Sequence, residues 1–178
     1  MKKIGLILVA LMATAAVNAQ MYVGGAVKFW HNDDVEQTEF AIAPEVGYNL
    51  NQKWAVGAEL AFLHSDVTPE GSSEAVKSNV FAFAPYARYS FYENKIVRLF
   101  VDGGLGISSY KLDTKNSDSV TGFEIGLKPG LDIKLNDNFC LLARYGFLGY
   151  RDDYMGGMNG YGFALSSGDL SFGVRYQF

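Results

Sequence analysis

The residues of this chain that could do chemistry are few and scattered. His64 is followed by Ser65, a hydroxyl nucleophile, but neighbouring strand residues point to opposite faces, so the two could not readily share a proton in a strand. Glu45 and Glu59 could form an acid–base carboxylate pair. His31 precedes an Asn-Asp-Asp run that could bind a divalent ion. We expect a solvated histidine, paired carboxylates and an ordinary polar loop instead, so we predict no catalytic, metal or cofactor site.

The elements that must position these residues are β-strands. Apolar and polar residues alternate in eight segments, each of membrane-crossing length and each bounded by turn or loop residues. Alternation with period two gives each segment one apolar face and one polar face. The segments cover approximately residues 21–31, 38–50, 54–64, 78–92, 96–110, 121–135, 139–150 and 170–178.

The charged residues of these segments fall mainly on the polar faces. Cations and anions are nearly balanced there, which predicts ion pairs filling the inside of a narrow barrel, because buried charges are costly unless they are paired. An ion path lined by the same residues is the alternative. The predicted lumenal charges are Lys28, Glu45, Glu59, Arg88, Asp102, Glu124, Lys128, Asp132, Lys134, Arg144 and Arg175.

Two further expectations come from the alternation. Pro44, Pro85 and Pro129 occupy equivalent places in the second, fourth and sixth segments. Because proline removes a ladder hydrogen bond, we expect them at bulges or where strand pairing is interrupted.

In the seventh segment, unbroken alternation places Phe147 outward and Leu148 inward.

The connections alternate in length, as they do in membrane barrels with short periplasmic turns and longer extracellular loops. This predicts that both chain termini lie on the periplasmic side. Short turns are predicted near Asn51-Gln52, Glu93-Asn94-Lys95 and Asn136-Asp137-Asn138. Longer polar loops are predicted at about 31–38, 65–77, 111–120 and 151–168.

The last long loop is the most distinctive, since it combines aromatic residues and methionines with glycines. Such loops can make adaptable surface contacts, although aromatic residues resting on the barrel rim are the simpler reading. The candidate surface-binding residues are Tyr154, Met155, Met158, Tyr161 and Phe163.

The N-terminus and the composition indicate an exported protein. Lys2 and Lys3 precede an apolar run that ends in Val17-Asn18-Ala19, which predicts a signal peptide over residues 1–19, cleaved before Gln20, and a barrel domain over residues 20–178. The formal net charge of −4 argues against a nucleic-acid partner. The single cysteine, Cys140, excludes an intramolecular disulfide.

The C-terminus alternates without a break from Leu170 to Phe178. This ending resembles the closing strand of bacterial outer-membrane barrels, and the whole arrangement resembles the small eight-stranded superfamily that includes the OmpA transmembrane domain and OmpX-like proteins. The resemblance implies an all-β fold, a transmembrane eight-stranded antiparallel up-and-down β-barrel, in the outer membrane of a Gram-negative bacterium. It also implies that Phe178 is the signal recognised by the barrel assembly machinery.

These observations favour a monomeric barrel in outer-membrane lipid, with a plugged polar lumen. Its role would be structural, or it would contact an extracellular ligand or host surface through its loops. A narrow pore or small-molecule conduit is the alternative, and a lipid-modifying outer-membrane enzyme ranks lower. A soluble periplasmic β-sandwich is the competing fold, since signal peptides, short strands and glycine-rich turns are common to both.

Overall fold

The computed structural model describes residues 20–32, 37–67, 76–112, 119–156, 159–165 and 170–178, so the predicted signal peptide lies outside it. Most of the described residues lie in strands, and no helix among them is long and apolar enough to cross a membrane. The strands are β1 (Met21–Asn32), β2 (Gln37–Asn49), β3 (Trp54–Val67), β4 (Val76–Glu93), β5 (Val97–Leu112), β6 (Val120–Lys134), β7 (Phe139–Arg144), β8 (Phe147–Asp152), β9 (Gly160–Ala164) and β10 (Ser171–Gln177). A short 3₁₀ turn, Tyr154–Gly156, lies between β8 and β9.

The strands form a closed antiparallel barrel. β1 to β6 pair in sequence, β7 and β8 both pair with β6, and β8 pairs with β9. β10 pairs with both β7 and β1, which closes the ring. Because β7 with β8 and β9 with β10 each occupy one position in the wall, the barrel has eight strands, and the predicted fold is confirmed.

The distribution of polarity is the reverse of that in a soluble protein. Apolar side chains on the outer face are exposed, such as Phe62 at 46% and Ile125 at 48%, whereas Arg88 and Asp132 inside are at most 1% exposed. A wall of this kind suits lipid outside and paired charges inside. The soluble β-sandwich, which would bury its apolar faces, does not fit this structure.

One asparagine shapes each of the three short turns. The side-chain oxygen of Asn51 accepts hydrogen bonds from the backbone N–H groups two and three residues later, at 2.9 Å each. Asn94 and Asn136 do the same at 2.7–2.9 Å. Asparagine favours such turns because its side chain mimics a backbone carbonyl. These turns and both described chain ends lie at one end of the barrel, called here the short-turn end; the other is the long-loop end.

The three strand prolines lie where the ladder is interrupted, as expected. β2 pairs with β3 on both sides of Pro44 but not at it, and β4 pairs with β5 on both sides of Pro85 but not at it. Opposite Pro129, the partner chain breaks between β7 and β8. Proline has no backbone N–H to donate, and each of these prolines lies where the ladder between strands has no hydrogen bond to lose.

The prediction for the end of the seventh segment is wrong. Gly146 has φ +92°, a backbone conformation that favours glycine, and the alternation changes phase there. Phe147 is buried inside the barrel at 5% exposure, and Leu148 is exposed at 50% on the outer face. The predicted loop 151–168 is also shorter than expected, since β9 pairs with β8 inside that range.

Candidate functional site

The inside of the barrel is organised around a buried arginine–carboxylate pair. Arg88 on β4 donates from Nε and Nη2 to the two oxygens of Asp102 on β5, at 2.6 and 2.8 Å. These residues are directly opposite each other in the ladder. The guanidinium of Arg88 also lies 3.9 Å from the centre of the Phe100 ring. The fork geometry and the ring fix the cation in a site removed from water.

A second arginine joins this pair to two more carboxylates. Arg144 on β7 donates to Asp102 at 2.9 Å, to Glu45 at 2.5 Å and to Glu59 at 3.2 Å. Glu45 and Glu59 face each other across β2 and β3. Two like charges in that position would repel, and Arg144 compensates both. The arrangement explains the carboxylate pair as an ion-pair layer, without catalytic chemistry.

Aromatic side chains fill the space around this layer by lying over glycines. The Tyr86 hydroxyl donates to Glu45 at 3.0 Å and lies 2.9 Å from the hydroxyl of Tyr22. A Cβ atom on Gly47 would lie 2.2 Å from the Tyr22 ring, and one on Gly57 would lie 2.7 Å from the Tyr86 ring. The glycines therefore make room for rings that a larger residue would displace.

A second cluster closes the lumen nearer the long-loop end. Glu124 accepts from Lys128 at 2.5 Å and from Arg151 at 3.0 Å. Tyr154, in the 3₁₀ turn, folds into the barrel, is 6% exposed and lies beside Glu124 over Gly106. Backbone N–H of Met155 donates to the Ser108 hydroxyl at 2.8 Å, which fixes the turn.

Further ion pairs lie towards the short-turn end. Arg175 on β10 pairs with Asp132 on β6, and both are almost fully buried. Glu93 accepts from Arg98 at 2.9 Å and is also bonded to Lys134. Ion pairs thus lie at several levels of the described lumen, from the short-turn end to the Glu124 cluster.

The cavity in the middle of the barrel is small, and a larger one lies at one end. A cavity of about 40 Å³ lies between the Arg144 layer and the Glu124 cluster, a volume that suits a few water molecules. A wider vestibule of about 330 Å³ opens at the short-turn end and reaches Arg88. Side chains therefore fill the described lumen over its central part.

Ten of the eleven predicted lumenal charges have described side chains, and all ten take part in the ion pairs above. The side chain of Lys28 lies outside the described part of the structure. Sequence reasoning missed Glu93, Arg98 and Arg151, because it assigned Glu93 to a turn and Arg151 to a loop. It also did not place Tyr154 in the lumen, because the inward position of this residue depends on the 3₁₀ turn.

The candidate surface-binding loop is not one exposed surface. Tyr154 and Met155 turn into the barrel mouth and pack near Ala61 and Ala82. Tyr161 and Phe163 lie on the outer face of β9, paired with Tyr150 and Leu148. Met158 lies outside the described residues. Tyr154 was therefore wrongly placed on the surface, and the exposed aromatic residues of β9 continue the apolar outer wall.

The His64-Ser65 pair is divided between the two sides of the wall. β3 continues through both residues, with His64 exposed and Ser65 buried. The imidazole Nδ1 lies 2.8 Å from the Asn79 side-chain oxygen. Among the described residues there is no group of three histidine, cysteine or acidic side chains that could bind a metal ion.

A closed wall with apolar residues outside and ion pairs inside defines a small transmembrane β-barrel. The family model "Outer membrane protein beta-barrel domain" matches residues 4–178. The chain belongs to this family of outer-membrane proteins.

Solved structures of similar fold cover nearly the whole chain. The chain is similar to the N-terminal β-barrel domain of Pseudomonas aeruginosa OprF, with TM-score 0.52, 16% identity and coverage of 90% of this chain and 98% of that one. Neisserial surface protein A gives TM-score 0.54 at 17% identity, covering 89% and 95%. Ail, the attachment invasion locus protein of Yersinia pestis, gives 0.51 at 19%, covering 89% and 97%. A search of curated protein sequences found no match.

The central ion pairs generate a graded prediction for stability. Asp102→Asn removes the carboxylate that pairs with Arg88 and also accepts from Arg144, and we expect it to lower the free energy of unfolding by about 3–5 kcal/mol, as for a broken buried pair. Glu59→Gln should cost less, because Glu59 is partly exposed and makes the longest contact to Arg144. Urea titration of the refolded barrel in detergent measures both.

Asp137→Asn, in an exposed turn, is the matched control and should change stability by less than about 0.5 kcal/mol. Equal losses for Asp102→Asn and Asp137→Asn would contradict the assignment of Asp102 as the shared acceptor.

Proposed function

We propose that this protein is a closed outer-membrane barrel whose lumen is plugged by ion pairs and whose function is presented at the long-loop end. The observation that carries the proposal is the Arg144 layer. One guanidinium bridges carboxylates on β2, β3 and β5, so it spans the inside from wall to wall. The orientation follows from loop length, with the long-loop end extracellular.

The same geometry argues against an enzyme at the His64-Ser65 pair, because those side chains lie on opposite faces of β3. The lumenal carboxylates are compensated by arginines, which leaves no free acid–base pair among those described. We therefore propose a structural or surface-interaction role rather than catalysis.

A narrow pore is the second candidate. The vestibule at the short-turn end favours it, since this cavity already reaches Arg88. The lumen is thus closed over a short length, by the Arg88–Arg144 layer and the Glu124 cluster. Rearranged ion pairs could connect the vestibule with the small central cavity.

Single-channel recording in planar lipid bilayers separates the two candidates. We expect no steady conductance from inserted wild-type protein. Arg144→Ala combined with Glu45→Ala removes the bridge without leaving its strongest partner uncompensated, and we expect it to produce conductance steps. Reproducible steps from the wild type would contradict the plugged lumen and establish the pore.

The surface role would be carried by the loops at the long-loop end. Two proteins of similar fold are named for attachment and for the cell surface, and we carry that kind of role to this chain as a proposal. The partner would be an extracellular ligand or host surface.

Loop exchange tests this role. Replacing residues 68–75 or 113–118 by glycine–serine segments of equal length leaves the strands untouched. We expect one of these exchanges to reduce binding of bacteria displaying the protein to host cells, with unchanged heat-modifiable migration of the folded barrel. Binding that survives both exchanges would count against recognition by these two loops.

We also propose that residues 1–19 are removed on export and that the C-terminal strand is read by the barrel assembly machinery. The position of Phe178 supports the role of the C-terminal strand. Its ring contacts Tyr176 edge-on at 5.0 Å, and its backbone N–H donates to Met21 at 3.1 Å. The terminal residue thus lies where β10 meets β1 and the barrel closes. The ring closes where β10 pairs with β1, and we propose that the protein is a monomer.

A further inference from the structure

A groove crosses the outer wall near the long-loop end, on β2 to β5. Its volume is about 580 Å³. Its lower part is apolar, with Ile42, Phe62 and Phe81 side by side in the ladder and the two phenylalanine rings 5.2 Å apart. Each of the three is 45–46% exposed. Such a surface accepts a hydrocarbon chain.

On β3 to β5 the next outward-facing row is polar, whereas its member on β2 is Phe40. His64, Asn79 and Lys111 are ladder neighbours on β3, β4 and β5, and all are exposed. The His64 imidazole is hydrogen-bonded to Asn79 at 2.8 Å, and Ser109 is bonded to Ser119 at 2.7 Å beside them. The groove therefore changes from apolar to polar along its length.

The change from apolar to polar lining lies at the height expected for the membrane–water interface. Trp54, packed on Tyr89 at 4.8 Å, marks the aromatic boundary at the short-turn end. His64 lies ten residue steps along β3 from Trp54. At about 3.3 Å per residue and a tilt of about 40°, they rise about 25 Å, the height of the apolar band of a membrane barrel. Because the strands are tilted, the polar row runs obliquely and Lys111 lies further out than His64.

The charge of the groove lining favours an anionic ligand. Its described lining residues include a lysine and a histidine but no carboxylate. The positive charge of Lys111 in this lining attracts an anionic headgroup.

We propose that this groove binds a phosphorylated, acylated glycolipid of the outer leaflet. An acyl chain lies against Phe62 and Phe81, a headgroup phosphate accepts from the Lys111 ammonium, and His64, Asn79 and Ser109 bond neighbouring headgroup oxygens. The inference rests on the orientation proposed above, with the long-loop end outside. It is independent of whether the lumen conducts and of what the loops bind.

Native mass spectrometry of the refolded barrel in detergent tests the groove, with bis-phosphorylated lipid A as the probe and chemically dephosphorylated lipid A as the comparison. We expect the wild type to retain the phosphorylated lipid preferentially. Lys111→Gln should weaken retention about tenfold, the effect of losing one charge-assisted hydrogen bond. Lys111→Arg should keep most of it.

Lys53→Gln is the matched control, because Lys53 is an exposed lysine at the short-turn end, outside the groove. We expect it to bind lipid A as the wild type does. Equal losses for Lys53→Gln and Lys111→Gln, or equal retention of both lipids by the wild type, would overturn the proposal. Since binding in detergent does not depend on cellular orientation, such a failure would reject the groove and leave the proposed orientation to the loop exchange.

Discussion

The structure depends on the compensation of charges removed from water inside the barrel. Arg88 and Asp102 form the centre of this compensation, and Arg144 extends it to the Glu45 and Glu59 carboxylates on β2 and β3. Uncompensated, any of these charges would carry a large desolvation cost. Paired, they tie strands that are distant in sequence, so the same contacts close the ring and obstruct its lumen.

The outer wall obeys a simpler constraint, since every exposed side chain in the membrane band must tolerate lipid. The inside, by contrast, must fit rings and charges into little space. Because Gly47 and Gly57 have no side chain, the rings of Tyr22 and Tyr86 can pack against their backbone. The outward-facing polar residues His64 and Lys111 interrupt the apolar outer face, and we interpret them as the membrane boundary and a candidate lipid site.

The fold and most of the lumen could be predicted because period-two alternation has only two faces to assign. This is why the inward positions of Arg88, Asp102 and Arg144 were predicted correctly. Prediction failed where the backbone leaves the regular strand. The positive φ of Gly146 reverses the phase at Phe147, and the turn at Tyr154 carries that residue inside. Neither change has a periodic signal, since both depend on contacts with distant strands.

The central claim is that Arg88 and Asp102 act as one unit, and a double-mutant cycle tests it most directly. The free energy of unfolding would be measured for Arg88→Met, Asp102→Asn and the combined variant. The account predicts a coupling of at least about 2 kcal/mol, with the double variant far more stable than the summed single losses imply. Losses that add to within about 0.5 kcal/mol would contradict it, because independent residues would give that result.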